Sequence, residues 1–186
     1  RPHYPMVQPK QYFDPYPWQM MTLPKAIPDD LADMPKLALT RSRSELNGID
    51  KYPDNQKRMW AAYYASVAFM DEQVGRILDE LDRLGLRETT AIVFTSDHGY
   101  HLGEHTFWQK NNLHEEVLRV PLIISVPGTK AGRTRSIVEL MDLFPTLADL
   151  AGLKIPGSLQ GKSLRPVLKD PEATVKASAL SFIKGG

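Results

Sequence analysis

Two short apolar runs, residues 91–94 and 122–126, constrain the fold of this chain more than any other feature. Each run is almost uninterrupted, which is typical of a strand that is covered on both faces. The second run ends at Pro127-Gly128, a dipeptide that predicts a turn. A helical pattern precedes the first run, and another follows the second. The order helix, strand, loop, strand, helix predicts an α/β fold.

The helix before the first strand has the clearest pattern and is predicted over residues 55–84. Apolar and aromatic side chains recur there at helical spacing along one face. Asp54 suits the N-cap, and Gly85 suits the position after the C-terminus, where glycine tolerates a left-handed conformation. A second helix is predicted over residues 142–151 and ends at Gly152.

The N-terminal loop, residues 1–53, holds nine of the 15 prolines of the chain. Proline fixes φ and lacks an amide donor, so this region is predicted to be loop and turn with short helices at most. Aromatic side chains also occur throughout its first part, and we expect them to pack on a partner surface. These aromatic residues are Tyr4, Tyr12, Phe13, Tyr16 and Trp18.

The composition excludes several classes of protein and site. A length of 186 residues with 42% hydrophobic residues is enough for one domain with a real core. The net charge of +1 provides no general attraction to nucleic acid or to acidic membranes. No apolar run approaches the ~18 residues that a membrane span needs. The chain has no cysteine, which excludes disulfides, thiolate metal ligands and a cysteine nucleophile within it.

Asp97 and His98 directly follow the first predicted strand, where ligands of open α/β sheets bind. A carboxylate oxygen beside an imidazole nitrogen suits a divalent cation, although two adjacent residues cannot complete its coordination sphere. The tripeptide that ends in Gly99 also suits a simple turn, in which the aspartate caps the backbone and the glycine supplies a positive φ. Both readings stay open. Four of the five histidines lie nearby, at positions 98, 101, 105 and 114.

Two further residues are candidates for binding an anion. A lone lysine such as Lys110 is usually a solvated surface residue, but beside a metal-bound oxyanion it would stabilise developing negative charge. His3 is either an ordinary loop histidine or a hydrogen-bond donor to an anionic group. Arg119, in contrast, is expected to be the partner in a structural ion pair.

The order of the motifs resembles the second half of a sulfatase catalytic domain. The opening Arg1-Pro2-His3-Tyr4-Pro5 is similar to the Lys/Arg-Pro-His loop of the iduronate-2-sulfatase branch, and so is the Asp-His pair. The other matching segments are Thr95-Ser96-Asp97-His98-Gly99, Leu102-Gly103-Glu104-His105, Lys110, Arg119-Val120-Pro121-Leu122-Ile123, Pro127-Gly128, Met141-Asp142-Leu143-Phe144-Pro145-Thr146-Leu147-Ala148 and Leu159-Gln160-Gly161-Lys162-Ser163-Leu164.

This resemblance implies an alkaline-phosphatase-like fold, a doubly wound α/β sheet with helices on both faces. It also implies a Ca²⁺ ion and hydrolysis of a sulfate ester by a formylglycine hydrate. Asp97 and His98 would be metal ligands. Lys110 and His3 would contact the sulfate and act in catalysis. His105 would support the metal ligands without binding the ion itself.

The chain departs from the family in having no cysteine, no Ser-x-Pro-x-Arg motif and no second acidic pair for the metal. We therefore expect a C-terminal fragment that is inactive alone and is completed by the N-terminal part of the same enzyme. Residues 1–160 would belong to the catalytic domain, with an α/β core over 54–160. Residues 161–186 would be the truncated start of a C-terminal subdomain.

The resemblance implies a sulfated sugar as substrate, specifically 2-O-sulfated iduronate in a glycosaminoglycan. It also implies an extracytoplasmic setting, whether periplasmic, secreted or lysosomal, with no nucleic-acid partner and no membrane span. Two alternatives stay open. One is a phosphoester or phosphonate-ester hydrolase of the same superfamily, and the other is a non-catalytic module that binds sulfated glycan.

Overall fold

The computed structural model describes residues 5–25, 27–39, 48–52 and 54–182. The chain forms two compact units, and their mixture of helices and strands agrees with the predicted α/β class. The first unit contains Arg1–Thr89 and His98–Val120, and the second contains Thr90–Asp97 and Pro121–Gly186.

The first unit is built on one long helix, α1 (Asn55–Arg83), which confirms the sequence prediction. It ends in a Schellman motif, because Gly85 has a φ of +68° and the amide of Leu86 donates to the carbonyl of Leu81. Asp54 occupies the N-cap position, but its side chain makes no capping hydrogen bond. Among the described residues, no helix has both the length and the apolar character needed to cross a bilayer.

The described part of the N-terminal loop consists of turns and short 3₁₀ helices, as its prolines predict. Aromatic side chains of its described part pack on α1, and Tyr4 lies outside the described residues. Tyr12 meets Phe69 edge to face with ring centroids 5.1 Å apart, and Tyr16 stacks on Tyr64 at 5.5 Å. The 3₁₀ helices are Lys10–Tyr12, Trp18–Met20, Lys36–Ala38 and Ile49–Lys51.

A small hairpin lies in the second segment of the first unit, His98–Val120. Strands β2 (His101–Leu102) and β3 (Trp108–Gln109) pair antiparallel, with Leu102 opposite Trp108. Trp60 of α1 donates its indole N–H to the carbonyl of Leu102 at 2.6 Å and so anchors the hairpin on the helix. A short helix, α2 (Glu115–Leu118), comes next. The buried apolar residues of this region are Leu102, Phe107, Trp108 and Val117.

The second unit contains the two predicted strands, which pair antiparallel as β1 (Ile92–Thr95) and β4 (Leu122–Ser125). All four residues of β1 are partly buried. Within this chain burial alternates along β4, and Ile123 is 61% exposed. An antiparallel pair can leave one face in contact with solvent, so an apolar run does not by itself prove burial on both faces.

The C-terminal part of the second unit contains two helices, α3 (Leu143–Leu150) and α4 (Arg165–Lys169). The first of them confirms the predicted helix, and Gly152 follows its end with a φ of +69°. A 3₁₀ turn, Leu140–Asp142, leads into α3.

Asp142 is the buried carboxylate that connects these elements. Its Oδ1 accepts hydrogen bonds from the amide of Lys162 and the ammonium of Lys176, both at 2.7 Å, and its Oδ2 accepts from the amide of Glu139 at 2.8 Å. Lys176 also pairs with the Glu139 carboxylate. Burial opposes ionisation of Asp142, but these hydrogen bonds outweigh it and lower the pKa of the carboxyl.

Candidate functional site

The structure describes four of the five residues that the sequence singles out, and His3 lies outside the described residues. Asp97 is exposed and ends the first segment of the second unit. His98, the next residue, is half-buried and begins the returning segment of the first unit. His105 lies between β2 and β3, and half-buried Lys110 directly follows β3.

The structure brings His98 and Lys110 together across 12 residues of sequence. Nδ1 of His98 lies 2.8 Å from the carbonyl oxygen of Gly99, which can only accept, so this nitrogen carries the proton. Nε2 therefore holds a lone pair, and it accepts a hydrogen bond from the Lys110 ammonium at 2.6 Å. The Lys110 ammonium thus lies next to Nε2, the imidazole nitrogen that would bind a metal ion.

Backbone conformation around Lys110 is unusual. His105, Thr106, Gln109 and Asn111 have φ values of 53°, 63°, 69° and 87°. Such left-handed conformations cost non-glycine residues of order 1–3 kcal/mol each and persist only where the surrounding fold enforces them. The position of Lys110 is therefore imposed by the hairpin and its packing rather than by local preference.

Gly99 has a role that the turn interpretation did not include. Its φ is not in the left-handed region, so a positive φ is not the reason for glycine here. Instead its amide donates to the carbonyl of Val117 at 2.7 Å, and a Cβ at this position would lie 1.9 Å from the carbonyl oxygen of Glu116. Close backbone approach requires glycine next to His98.

We expect Gly99→Ala to lower the free energy of unfolding by about 3 kcal/mol, because the added methyl group meets rigid backbone. Gly157→Ala is the matched control, since a Cβ there has no neighbour within 4 Å. It should stay within about 0.5 kcal/mol of wild type. Urea unfolding of the protein expressed from its complete coding sequence measures both. Equal stability of the two variants would contradict the close approach.

Three imidazole rings, those of His101, His105 and His114, form a group that we call the histidine cluster. The His114 ring centroid lies 5.3 Å from that of His101 and 6.0 Å from that of His105. Nδ1 of His105 lies 2.8 Å from a carboxylate oxygen of Asp30, and its Nε2 lies 3.5 Å from one of Glu116. Imidazoles and carboxylates thus alternate within this part of the first unit.

The members of the cluster differ in their ionisation. Burial lowers the pKa of His101 and of His114. Burial opposes protonation of His105 too, but the hydrogen bond and charge of Asp30 outweigh it and raise the pKa. For Glu116, burial opposes ionisation, while a backbone hydrogen bond and the nearby histidines outweigh it and lower the pKa.

In the sequence, His101 and His114 stand out only by the local density of histidines, and no pattern marks Glu116, Asn112 or Asp30. No spacing rule connects Asp30 to His105, which lies 75 residues further along the chain. Arg119 forms an ion pair, since its guanidinium lies 3.4 Å from the carboxylate of Glu115, but the pair is not the structural one that the sequence predicts. Both side chains are exposed, so this pair contributes little to stability.

Comparison with known proteins gives a consistent result. The family model described as Sulfatase matches residues 1–153. The chain is 44% identical to N-acetylglucosamine-6-O-sulfatase of Bacteroides thetaiotaomicron, over 60% of this chain and 20% of that protein. It is 36% identical to iduronate 2-sulfatase of Mus musculus, over 84% of this chain and 35% of that protein. A solved structure, the phosphonate monoester hydrolase from Silicibacter pomeroyi, matches with a TM-score of 0.79 and 32% identity, over 93% of this chain and 36% of that one. The chain thus spans 20–36% of the length of these proteins.

Proposed function

Because this chain belongs to the sulfatase family, we propose that it is part of a sulfuric ester hydrolase that acts on a sulfated sugar. The observation that carries the proposal is the 2.6 Å contact between the Lys110 ammonium and Nε2 of His98. It places a cation able to contact a sulfate beside an imidazole whose Nε2 lone pair would bind the metal ion once the ammonium turns to the sulfate.

Asp97 and His98 are the proposed ligands of a divalent cation, and Ca²⁺ is the proposed ion. The hydrogen bond from Nδ1 of His98 to the Gly99 carbonyl supports this, because it selects the tautomer and orients Nε2 as a ligand atom. Ca²⁺ prefers oxygen ligands, so the remaining ligands would be acidic residues outside this chain. When bound, the ion would polarise the oxygens of the sulfate group.

Lys110 and His3 are the proposed catalytic residues of this chain. The ammonium of Lys110 would contact the sulfate and stabilise negative charge on the leaving oxygen as the S–O bond breaks. His3 would donate a hydrogen bond to the sulfate or to the ester oxygen. His105 would keep a supporting role, since Asp30 holds its ring by a 2.8 Å hydrogen bond.

The nucleophile would come from outside this chain, which has neither cysteine nor a Ser-x-Pro-x-Arg motif. We propose a formylglycine made from the first residue of a Cys/Ser-x-Pro-x-Arg motif in the N-terminal part of the same enzyme. The setting we propose is extracytoplasmic.

The specific substrate we propose is 2-O-sulfated iduronate in a glycosaminoglycan. The iduronate 2-sulfatase of Mus musculus, 36% identical over 84% of the chain, supports this choice. A second candidate activity is hydrolysis of phosphonate monoesters, which the TM-score of 0.79 to such a hydrolase favours.

The test uses the protein expressed from its complete coding sequence. Sulfate release from a 2-O-sulfated iduronate disaccharide and from glucosamine 6-O-sulfate is compared with hydrolysis of a phenyl phosphonate monoester. We expect the sulfate esters to be preferred, with activity lost in EDTA and restored by Ca²⁺. Preference for the phosphonate would support the second candidate. Glycan binding that survives EDTA, without turnover of any ester, would instead identify a binding module.

A further inference from the structure

His101 is a buried residue whose protonation follows from its neighbours. Its side chain is fully buried, and Nε2 lies 3.3 Å from Oδ1 of Asn112. That oxygen also accepts the amide N–H of His114 at 3.1 Å, which identifies it as the amide oxygen rather than the nitrogen. Nε2 of His101 is therefore the donor, and Nδ1 holds a lone pair. Within the described part of the chain, Nδ1 has no hydrogen-bond partner.

His114 adds two more unsatisfied atoms. Both of its ring nitrogens are buried and have no hydrogen-bond partner among the residues that the structure describes. Leaving a buried polar group unpaired costs about 1–3 kcal/mol, so three such atoms in one place need an explanation. One ligand atom each from His101, His114 and Glu116 lie within 4.8 Å of one another, close enough to share a single ion.

We propose that His101, His114 and Glu116 bind a divalent transition metal ion such as Zn²⁺, as a site additional to the Asp97 and His98 ligands. Two imidazoles and one carboxylate are a donor set that Zn²⁺ uses in proteins. Imidazole nitrogen suits this class of ion better than Ca²⁺ or Mg²⁺, which prefer oxygen. A bound ion would take up the lone pairs of Nδ1 of His101 and of one His114 ring nitrogen, two of the three buried atoms without a hydrogen-bond partner among the described residues.

The surrounding residues are arranged to orient the proposed ligands. Asn112 fixes the tautomer of His101 through Nε2, as partners of metal-bound histidines commonly do. Asp30 holds His105 by its Nδ1, and the other nitrogen of that ring lies 3.5 Å from the Glu116 carboxylate. His105 is thus a positioning residue for Glu116.

The place of the site in the chain suggests a structural role. His101 lies at the start of the β2–β3 hairpin, whereas His114 and Glu116 follow it. An ion held by these residues would bridge the two ends of segment 101–116, which carries Lys110. It would help to maintain the left-handed conformations at residues 105–111, which local preference opposes.

Metal analysis of the protein expressed from its complete coding sequence tests the proposal. The protein is loaded with Zn²⁺ in an excess of Ca²⁺, desalted and measured by plasma mass spectrometry. We expect wild type to retain stoichiometric Zn²⁺, and His114→Phe and Glu116→Gln to retain only background. Glu115→Gln, which changes the exposed neighbour, is the control and should retain Zn²⁺ as wild type does.

Two further measurements keep the result interpretable. Asp30→Asn leaves the proposed ligands in place and should weaken Zn²⁺ binding about 10- to 100-fold. Loading with Co²⁺ should give the intense visible bands of a four-coordinate ion, with water as the fourth ligand, in wild type and not in Glu116→Gln. Background Zn²⁺ in wild type, or full retention in folded His114→Phe and Glu116→Gln, would overturn the proposal. Neither result depends on ester hydrolysis, so this proposal and the sulfatase activity fail independently.

Discussion

Lys110→Met should lower kcat for sulfate release by about 10²- to 10³-fold, the range seen when an enzyme loses one group that stabilises transition-state charge. The reason is that the Lys110 ammonium lies 2.6 Å from Nε2 of His98, the proposed metal ligand, where the sulfate would bind. Methionine keeps most of the side-chain volume and removes the charge together with the hydrogen-bond donor. Steady-state kinetics on the preferred sulfate ester measure the effect.

Lys110→Arg and Lys154→Ala complete this experiment. Arginine keeps the positive charge but spreads it over a planar group, so it should restore only a small part of kcat. Lys154 is exposed, and its replacement should leave kcat unchanged. Because the hydrogen bond to His98 is lost as well, the Ca²⁺ affinity of Lys110→Met must be measured too. A normal kcat in that variant would remove Lys110 from the catalytic machinery.

Asp142→Ala should lower the free energy of unfolding by about 3–5 kcal/mol, because it removes the carboxylate of a buried ion pair and leaves the ammonium in place. The ammonium of Lys176, whose side chain is 12% exposed, would keep Glu139 as a partner and lose Asp142. The amides of Glu139 and Lys162 would lose their acceptors as well. Urea unfolding of the protein from its complete coding sequence measures the change.

The control for this variant is Asp79→Asn, which alters an exposed aspartate on α1 and should change stability by no more than about 0.5 kcal/mol. Lys176→Met tests the same network from its other side and should also be strongly destabilising. If both network variants were as stable as Asp79→Asn, the Asp142 carboxylate would not hold the second unit together.

Stability should also depend on pH through Asp142. Its pKa is lower in the folded protein than in the unfolded chain, where an aspartate has a pKa of about 3.9. The unfolded state therefore binds the proton first on acidification. The stabilisation is fully present above pH ~4 and is lost as the pH falls through the folded pKa. In Asp142→Ala, the free energy of unfolding should fall less steeply as the pH is lowered through this range, as measured by chemical denaturation at each pH. The same pH dependence in wild type and variant would contradict the lowered pKa of Asp142.

Local patterns were enough to predict the regular elements. Helical spacing and a terminal glycine place α1 and α3, because these signals depend on residues a few positions apart. The apolar runs place β1 and β4 to within one residue. The same runs could not show that Ile123 is exposed, because burial of a strand face depends on which elements cover it.

The ordered motifs are enough to predict the family and the α/β class and to nominate Asp97, His98 and Lys110 as site residues, because they keep these residue types in a fixed order. Which atoms meet is set by the packing of the folded chain. It placed the Lys110 ammonium on Nε2 of His98, and it gathered His101, His114 and Glu116 around a shared point. These contacts join residues on either side of the β2–β3 hairpin, and they are set by packing rather than by local preference.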